Sequence, residues 1–171
     1  MSATEFEPSE LRKQIAKAFP AEPFLGDITP DDGHKWCEEL DDALDLAVNL
    51  KGKTWSAVPQ DFVDRHAGDL PLLSPRAFAA FLPAWLDGAL VDTHNESDVR
   101  DHVVFVFAPF QNDQPWSKAF RRSRLLCLDA DQIRVIRGFL TFISNTDPSS
   151  FLRACALDAL TELTELFDRS P

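Results

Sequence analysis

Residues 73–86 read LSPRAFAAFLPAWL, and this stretch decides the fold class. Ser74 followed by Pro75 is a strong helix start, because the serine oxygen accepts a free backbone N–H and proline fits the first turn. Apolar side chains then recur at helical spacing, at Phe78, Phe81, Leu82, Trp85, Leu86 and Leu90. The stretch predicts an amphipathic helix that kinks or divides at Pro83, where one hydrogen bond is lost.

Further helix starts flank this stretch on both sides. They are predicted at Ser9, at Thr29 with Pro30, at Pro59, at Asp129 with its capping-box partner Gln132, and at Asp147 with Pro148. The helix that starts at Thr29 is expected to end before Gly52. We therefore predict an all-α fold of six or seven helices around one core. Residues 1–171 are expected to form a single domain, with residues 1–8 as a flexible tail.

One segment has a composition that favours a strand. Residues 102–108 read HVVFVFA, and their β-branched and aromatic side chains are typical of strands. Ser97 and Asp98 are equally suited to starting a helix just before this segment. We favour a short strand, which leaves open an antiparallel pair with residues 124–128.

Composition and charge count against several classes of partner and location. The formal net charge is −11 at pH 7, which counts against direct binding to nucleic acid or to an anionic membrane. No apolar run is long enough to span a bilayer, and the N-terminus lacks the basic and apolar regions of a secretory signal. The three cysteines have no disulfide-like spacing, so we expect reduced thiols and a cytoplasmic protein.

An acidic run over residues 27–45 is the most unusual feature of the sequence. It holds eight carboxylates against one lysine. Asp31, Glu38, Asp42 and Asp45 form a stripe along the predicted helix, and Glu39 lies beside it. The run is either a solubilising face or a docking surface for a basic protein. Its spacing does not match a calcium-binding EF-hand loop.

Histidines and cysteine suggest two sites, and each has a simpler interpretation. His34 and Cys37 lie three residues apart on one helix face, and a zinc ion there would take further ligands from His66, His94 or His102. No second pair with ligand spacing occurs, so a solvated helix start is the simpler interpretation of His34 and Cys37. We therefore predict no metal and no cofactor.

Residues 94–102 combine two histidines with Glu96, Asp98 and Asp101, as a hydrolase would for general-base catalysis. No nucleophile elbow or phosphate-binding loop accompanies them. A polar surface loop is therefore the simpler interpretation. We predict no catalytic residue.

The sequence has one cluster of basic residues, which lies after residues 94–102. It consists of Lys118, Arg121, Arg122 and Arg124, beside Trp116 and Phe120. In an acidic protein, these charges indicate an intramolecular partner for acidic groups, such as those of the acidic helix, rather than a single-stranded nucleic-acid site. Which of the four tryptophans are exposed interface anchors is left open.

Several packing motifs resemble those of a known family. They are the helix of residues 73–86, the GKTW of residues 52–55, the helix start at Gln132 with Ile136, Phe139 and Leu140, and the acidic helix before Gly52. The chain resembles an uncharacterised bacterial family, a domain of unknown function, over residues 36–143. The resemblance implies a bacterial, cytosolic origin and assigns no catalytic residue.

Taken together, these features predict a non-enzymatic acidic binding protein. An example is a cytosolic immunity or inhibitor protein that masks a basic partner such as a bacterial toxin. The predicted contact residues are Asp31, Glu38, Asp42 and Asp45, with Glu39. The alternatives are a small metal-assisted hydrolase and a structural or oligomerisation module that uses an apolar face of the last helix. A homo-oligomer is therefore left open.

Overall fold

The computed structural model describes residues 7–30, 40–91, 98–109 and 115–168. These residues contain eight α-helices and no strand. The helices are α1 (Pro8–Ala18), α2 (Leu40–Leu50), α3 (Gln60–Arg65), α4 (Pro75–Ala89), α5 (Val99–Phe107), α6 (Pro115–Leu125), α7 (Ala130–Thr146) and α8 (Ser150–Phe167). Two short 3₁₀ helices, Trp55–Ala57 and Leu70–Leu72, lie in the connections. The predicted all-α class is confirmed, with one helix more than the upper estimate.

Helix α4 lies at the centre of the fold. Ser74 caps it as predicted, because its Oγ accepts a hydrogen bond from the backbone N–H of Ala77 at 3.2 Å. Helices α1, α3, α5 and α6 all pack against α4, which explains why most of its side chains are buried. The helix is not divided at Pro83, which is itself buried. Burial against the neighbouring helices offsets the cost of the hydrogen bond that proline removes.

The predicted strand over residues 102–108 is wrong, because these residues lie in α5 and in the residue after it. Val103, Val104 and Phe107 are buried, which is helical spacing, and α5 packs against α4 and α8. Burial on two sides suits β-branched side chains in either conformation, so tertiary contacts override the local preference. The proposed partner segment, residues 124–128, includes the end of α6 and forms no strand.

The predicted start of α7 is correct, whereas the predicted starts of α1 and α8 differ from the observed ones by one or two residues. At α7, the Asp129 side chain accepts from the Gln132 N–H, and the Gln132 side chain accepts from the Asp129 N–H. Ser9 does not cap α1, because Glu7 takes that position and the helix begins at Pro8, within the expected flexible tail. Ser149 caps α8 in place of Asp147. The buried Asp147 carboxylate instead accepts from Ser149 N–H and pairs with Arg100 at 3.2 Å.

Two tryptophans have defined interior positions. Trp85 is fully buried in α4, and Trp55 is partly buried, with its ring N–H donating to the carbonyl of Phe19 at 2.9 Å. Trp36 and the side chain of Trp116 lie outside the part of the structure that is described. Within the described residues, no helix combines the length and the apolar character needed to cross a bilayer.

Candidate functional site

Helix α2 carries the part of the predicted acidic stripe that can be located. Leu46 and Leu50 are buried and hold the helix on the protein. Asp41, Leu44 and Val48 follow at i, i+3 and i+7 and share the opposite side, which we call the outer face of α2. Leu44 is 54% exposed and Val48 is 78% exposed, so two large apolar side chains stand in water beside the exposed Asp41.

Asp45, one helical turn after Asp41, flanks the outer face of α2, but its carboxylate turns toward the body of the protein. One carboxylate oxygen is 2.8 Å from Nε2 of His66. The other accepts a hydrogen bond from the Asn49 side-chain amide at 2.8 Å. Asp45 is therefore engaged within the protein, although 42% of its side chain remains exposed.

His66 is held firmly at the end of α3. Only 4% of the residue is exposed, and its ring stacks at a tilt on Phe62 with 4.4 Å between ring centroids. Its backbone carbonyl accepts a hydrogen bond from the indole N–H of Trp85 at 3.0 Å. Phe62 of α3 thus packs on the imidazole, and Trp85 of α4 holds the backbone of His66.

Carboxylates surround that imidazole. Nδ1 is 2.6 Å from a carboxylate oxygen of Asp69, on the side opposite Asp45. Asp42, one helical turn before Asp45, contributes a third carboxylate, and ligand atoms of Asp42, His66 and Asp69 all lie within 4.8 Å of one another. We call Asp42, Asp45, His66 and Asp69 the His66 cluster.

The cluster joins residues that the sequence analysis assigned to different sites. Asp42 and Asp45 belong to the predicted partner-binding stripe, whereas His66 was a ligand in the metal alternative. Asp69 was missed, although its position three residues after a histidine, in a turn, was a usable signal. The other stripe residues, Asp31, Glu38 and Glu39, lie outside the described residues.

The remaining histidine hypotheses are only partly located. His34, Cys37, His94 and Glu96 lie outside the described residues. His102 is in α5, and its ring packs against Gly68, where a Cβ atom would lie 3.2 Å from the ring. Beside it, partial burial raises the pKa of Asp101, and the carboxylates of Asp147 and Asp98 raise it further.

The basic cluster on α6 turns two of its arginines inward. Arg121 is buried and pairs with Glu162 of α8 at 3.5 Å. Arg124 is buried as well, donates to the carbonyls of Pro71 and Leu73, and stacks on Phe120 with 3.3 Å from its guanidinium carbon to the ring centroid. The intramolecular role predicted for these charges thus includes partners on α8 and around the 3₁₀ helix Leu70–Leu72.

An apolar cavity of about 150 Å³ adjoins these arginines. Its walls are formed mainly by Phe78, Phe105, Val106, Phe120 and Leu125.

The two cysteines that the structure describes are free thiols. Burial raises the pKa of the Cys155 thiol, with a further contribution from Asp158, and Cys155 packs against the core.

Comparison with known proteins assigns the chain to a family and goes no further. No curated protein and no solved structure matches the chain. A family model matches residues 9–163, nearly the whole chain, and includes every residue of the His66 cluster and all of α2. The expected resemblance to an uncharacterised family is therefore confirmed. The chain belongs to the family of unknown function DUF6714.

Proposed function

We propose that this protein is a non-enzymatic binding protein that captures a basic protein partner through the outer face of α2. The observation that carries the proposal is the exposure of Leu44 and Val48 beside Asp41. Protein interfaces combine an apolar centre with a polar, charged rim. Two large apolar side chains next to carboxylates are a small version of that arrangement.

Charge complementarity selects the partner. The chain has a formal net charge of −11, so its field attracts cationic proteins and repels anionic ones over a Debye length. Electrostatic attraction of this kind raises the association rate and the specificity more than the affinity. Leu44 and Val48 would then slow dissociation once the surfaces meet.

The contact set follows from these positions. It comprises Asp41, Leu44, Val48 and, at the edge of the face, Asp42. We leave Asp45 out, because its carboxylate is engaged with His66 and Asn49. Asp31, Glu38 and Glu39 stay predicted contacts on the basis of the sequence.

The narrower proposal concerns the biological setting. We infer a cytoplasmic immunity or inhibitor protein of bacterial origin, whose basic partner is a toxin. The mechanism would be electrostatic encounter followed by occlusion of the partner's active site. The acidic charge and the absence of a catalytic motif in the sequence support this proposal.

The test compares affinity capture from the native host with matched baits. We expect a basic protein to be enriched on the wild-type bait and lost on the bait with Leu44→Ser and Val48→Ser. The control bait carries Leu157→Ser, which removes a side chain that is 55% exposed on α8. The purified pair should then bind more slowly with Asp41→Asn, and its association rate should depend less on NaCl concentration.

Two outcomes contradict the proposal. Equal enrichment on the wild-type and double-variant baits would show that α2 is not the contact surface. Loss of the partner on the Leu157→Ser bait alone would place the contact on α8, as the oligomerisation alternative predicts.

A further inference from the structure

The His66 cluster concentrates negative charge around one buried ring. Three carboxylates converge on a single imidazole, which can carry at most one positive charge. Among the described residues, the Asp69 side chain pairs only with His66, and Asp42 has no hydrogen bond or ion pair. Like charges so close together repel each other, and a bound divalent cation would remove that repulsion.

The spacing of the cluster suits a coordination sphere. Zinc bonds to histidine nitrogen and carboxylate oxygen are about 2.0–2.2 Å long, so ligands of one ion lie at most about 4.4 Å apart. The ligand atoms of Asp42, His66 and Asp69 already lie within 4.8 Å of one another. Only small side-chain movements separate the present arrangement from a three-residue ligand set, including a slight opening of the 2.6 Å contact between Nδ1 and Asp69.

The second ring nitrogen provides an independent argument. A histidine that binds a metal through one nitrogen usually donates its other N–H to a carboxylate, which fixes the orientation of the ring. Nε2 of His66 faces the carboxylate of Asp45 at 2.8 Å, and Asp45 is not among the three residues whose ligand atoms group together. The ring packs on Phe62, and its Nδ1 faces the carboxylate of Asp69 at 2.6 Å.

We propose, beyond the binding function, that the His66 cluster holds a first-row divalent metal ion of the zinc or manganese type. Nδ1 of His66 and the carboxylates of Asp69 and Asp42 are the ligands, and Asp45 is a positioning residue that orients His66. A nitrogen ligand among carboxylates favours these ions over calcium and magnesium, which prefer oxygen alone. Asp42 is exposed, so the ion enters from solvent and keeps water as its remaining ligands.

The ion would connect two parts of the fold. Asp42 belongs to α2, whereas His66 and Asp69 follow α3. Because the ligand set is complete only in the folded protein, binding stabilises the native state in proportion to ln(1 + [metal]/Kd). The melting temperature of the metal-free protein should therefore rise when zinc is added.

The experiment is calorimetric titration of the metal-free full chain with ZnCl₂. We expect one equivalent to bind, with the affinity reduced at least 10-fold in Asp42→Asn and in Asp69→Asn. Asp41→Asn is the matched control, because it removes the same charge from the neighbouring position of α2 but lies outside the cluster. Asp45→Asn should keep the stoichiometry and weaken binding by about 10-fold to 100-fold, as expected for an outer-shell partner.

Three results would overturn the proposal. They are the absence of zinc binding, an equal loss of affinity in Asp41→Asn and Asp42→Asn, and undiminished binding in both Asp42→Asn and Asp69→Asn. The second result would mean that charge alone attracts the ion, and the third would place the ion elsewhere. Asp42 is exposed, so its variant tests the site without disturbing the core. Leu44→Ser with Val48→Ser removes no ligand atom, so this proposal and the docking proposal can fail separately.

Discussion

At the scale of single residues, Arg124 joins two separate parts of the chain. Its guanidinium donates to the carbonyls of Pro71, Leu73 and Phe120 while 3% of the residue is exposed. Burying a charge is costly unless it is hydrogen-bonded, and here backbone carbonyls accept from both terminal nitrogens of the guanidinium. Arg124 therefore links α6 to the segment that connects α3 with α4.

Replacing Arg124 should cost stability. Arg124→Met keeps most of the apolar stem but removes the donors, which leaves buried carbonyls unpaired. We expect the free energy of unfolding to fall by about 2–4 kcal/mol, since hydrogen bonds to charged groups are worth about 1.5–3 kcal/mol each and part of the loss is recovered by water.

Urea denaturation monitored by circular dichroism measures this change. The matched control is Arg122→Met, an exposed position on the same helix, where we expect a change within about 0.5 kcal/mol. Similar losses for Arg122 and Arg124 would contradict the structural role assigned to Arg124.

His66 illustrates why single residues are hard to assign from sequence. From the sequence, His66 was only a distant candidate ligand for a zinc ion held by His34 and Cys37. Its actual neighbours, Asp45 and Asp69, lie 21 and 3 residues away in the chain. Only the folding of α2 onto the turn after α3 brings the first of these to the ring.

At the scale of helices, Gly88 of α4 and Gly138 of α7 lie at two helix contacts that differ in how closely they pack. A Cβ atom at Gly138 of α7 would meet Leu11 of α1 at 3.4 Å, which is ordinary van der Waals contact. A Cβ atom at Gly88 of α4 would lie 3.1 Å from a methyl carbon of Val63 in α3. The contact between α3 and α4 is therefore tight, whereas the contact between α1 and α7 leaves room for a methyl group.

Alanine at these two positions should have different effects on stability. Gly138→Ala should raise the free energy of unfolding by about 0.5–1 kcal/mol, because alanine is the better helix former. Gly88→Ala should gain less than Gly138→Ala or lose stability, since the buried Val63 must move. Thermal and urea unfolding of both variants measure the difference, and a larger gain at Gly88 would contradict these packing distances.

At the scale of the whole molecule, net charge opposes compactness. The formal charge of −11 is spread over a chain of 171 residues, and ion pairs such as Arg12 with Asp87 and Arg137 with Asp168 neutralise only part of the negative charge. The side chains of these pairs are 31% to 51% exposed, and ion pairs at the surface contribute little to stability. Repulsion among the unpaired carboxylates should therefore dominate the electrostatic contribution.

Salt should accordingly stabilise the protein. Raising NaCl from about 10 mM to about 100 mM shortens the Debye length from about 30 Å to about 10 Å and screens the repulsion. We expect the free energy of unfolding, measured in urea so that ionic strength stays controlled, to rise over this range. A fall would show that the ion pairs outweigh the repulsion.

The sequence by itself determined the fold class, most helix positions and the capping of α4 and α7. These features depend on interactions within a few residues, such as the Asp129 and Gln132 capping box and the apolar spacing after Ser74. The sequence also indicated a resemblance to an uncharacterised family, and the family match confirms it.

Only the tertiary structure decided the conformation of residues 102–108, the burial of Arg124 and the assembly of the His66 cluster. Each of these depends on which distant segment lies opposite. Local preferences differ by about 1 kcal/mol or less per residue, whereas burial against α4 and α8 contributes more than that for each large side chain in α5. The partners that settle these outcomes are remote in sequence, so no local pattern contains them.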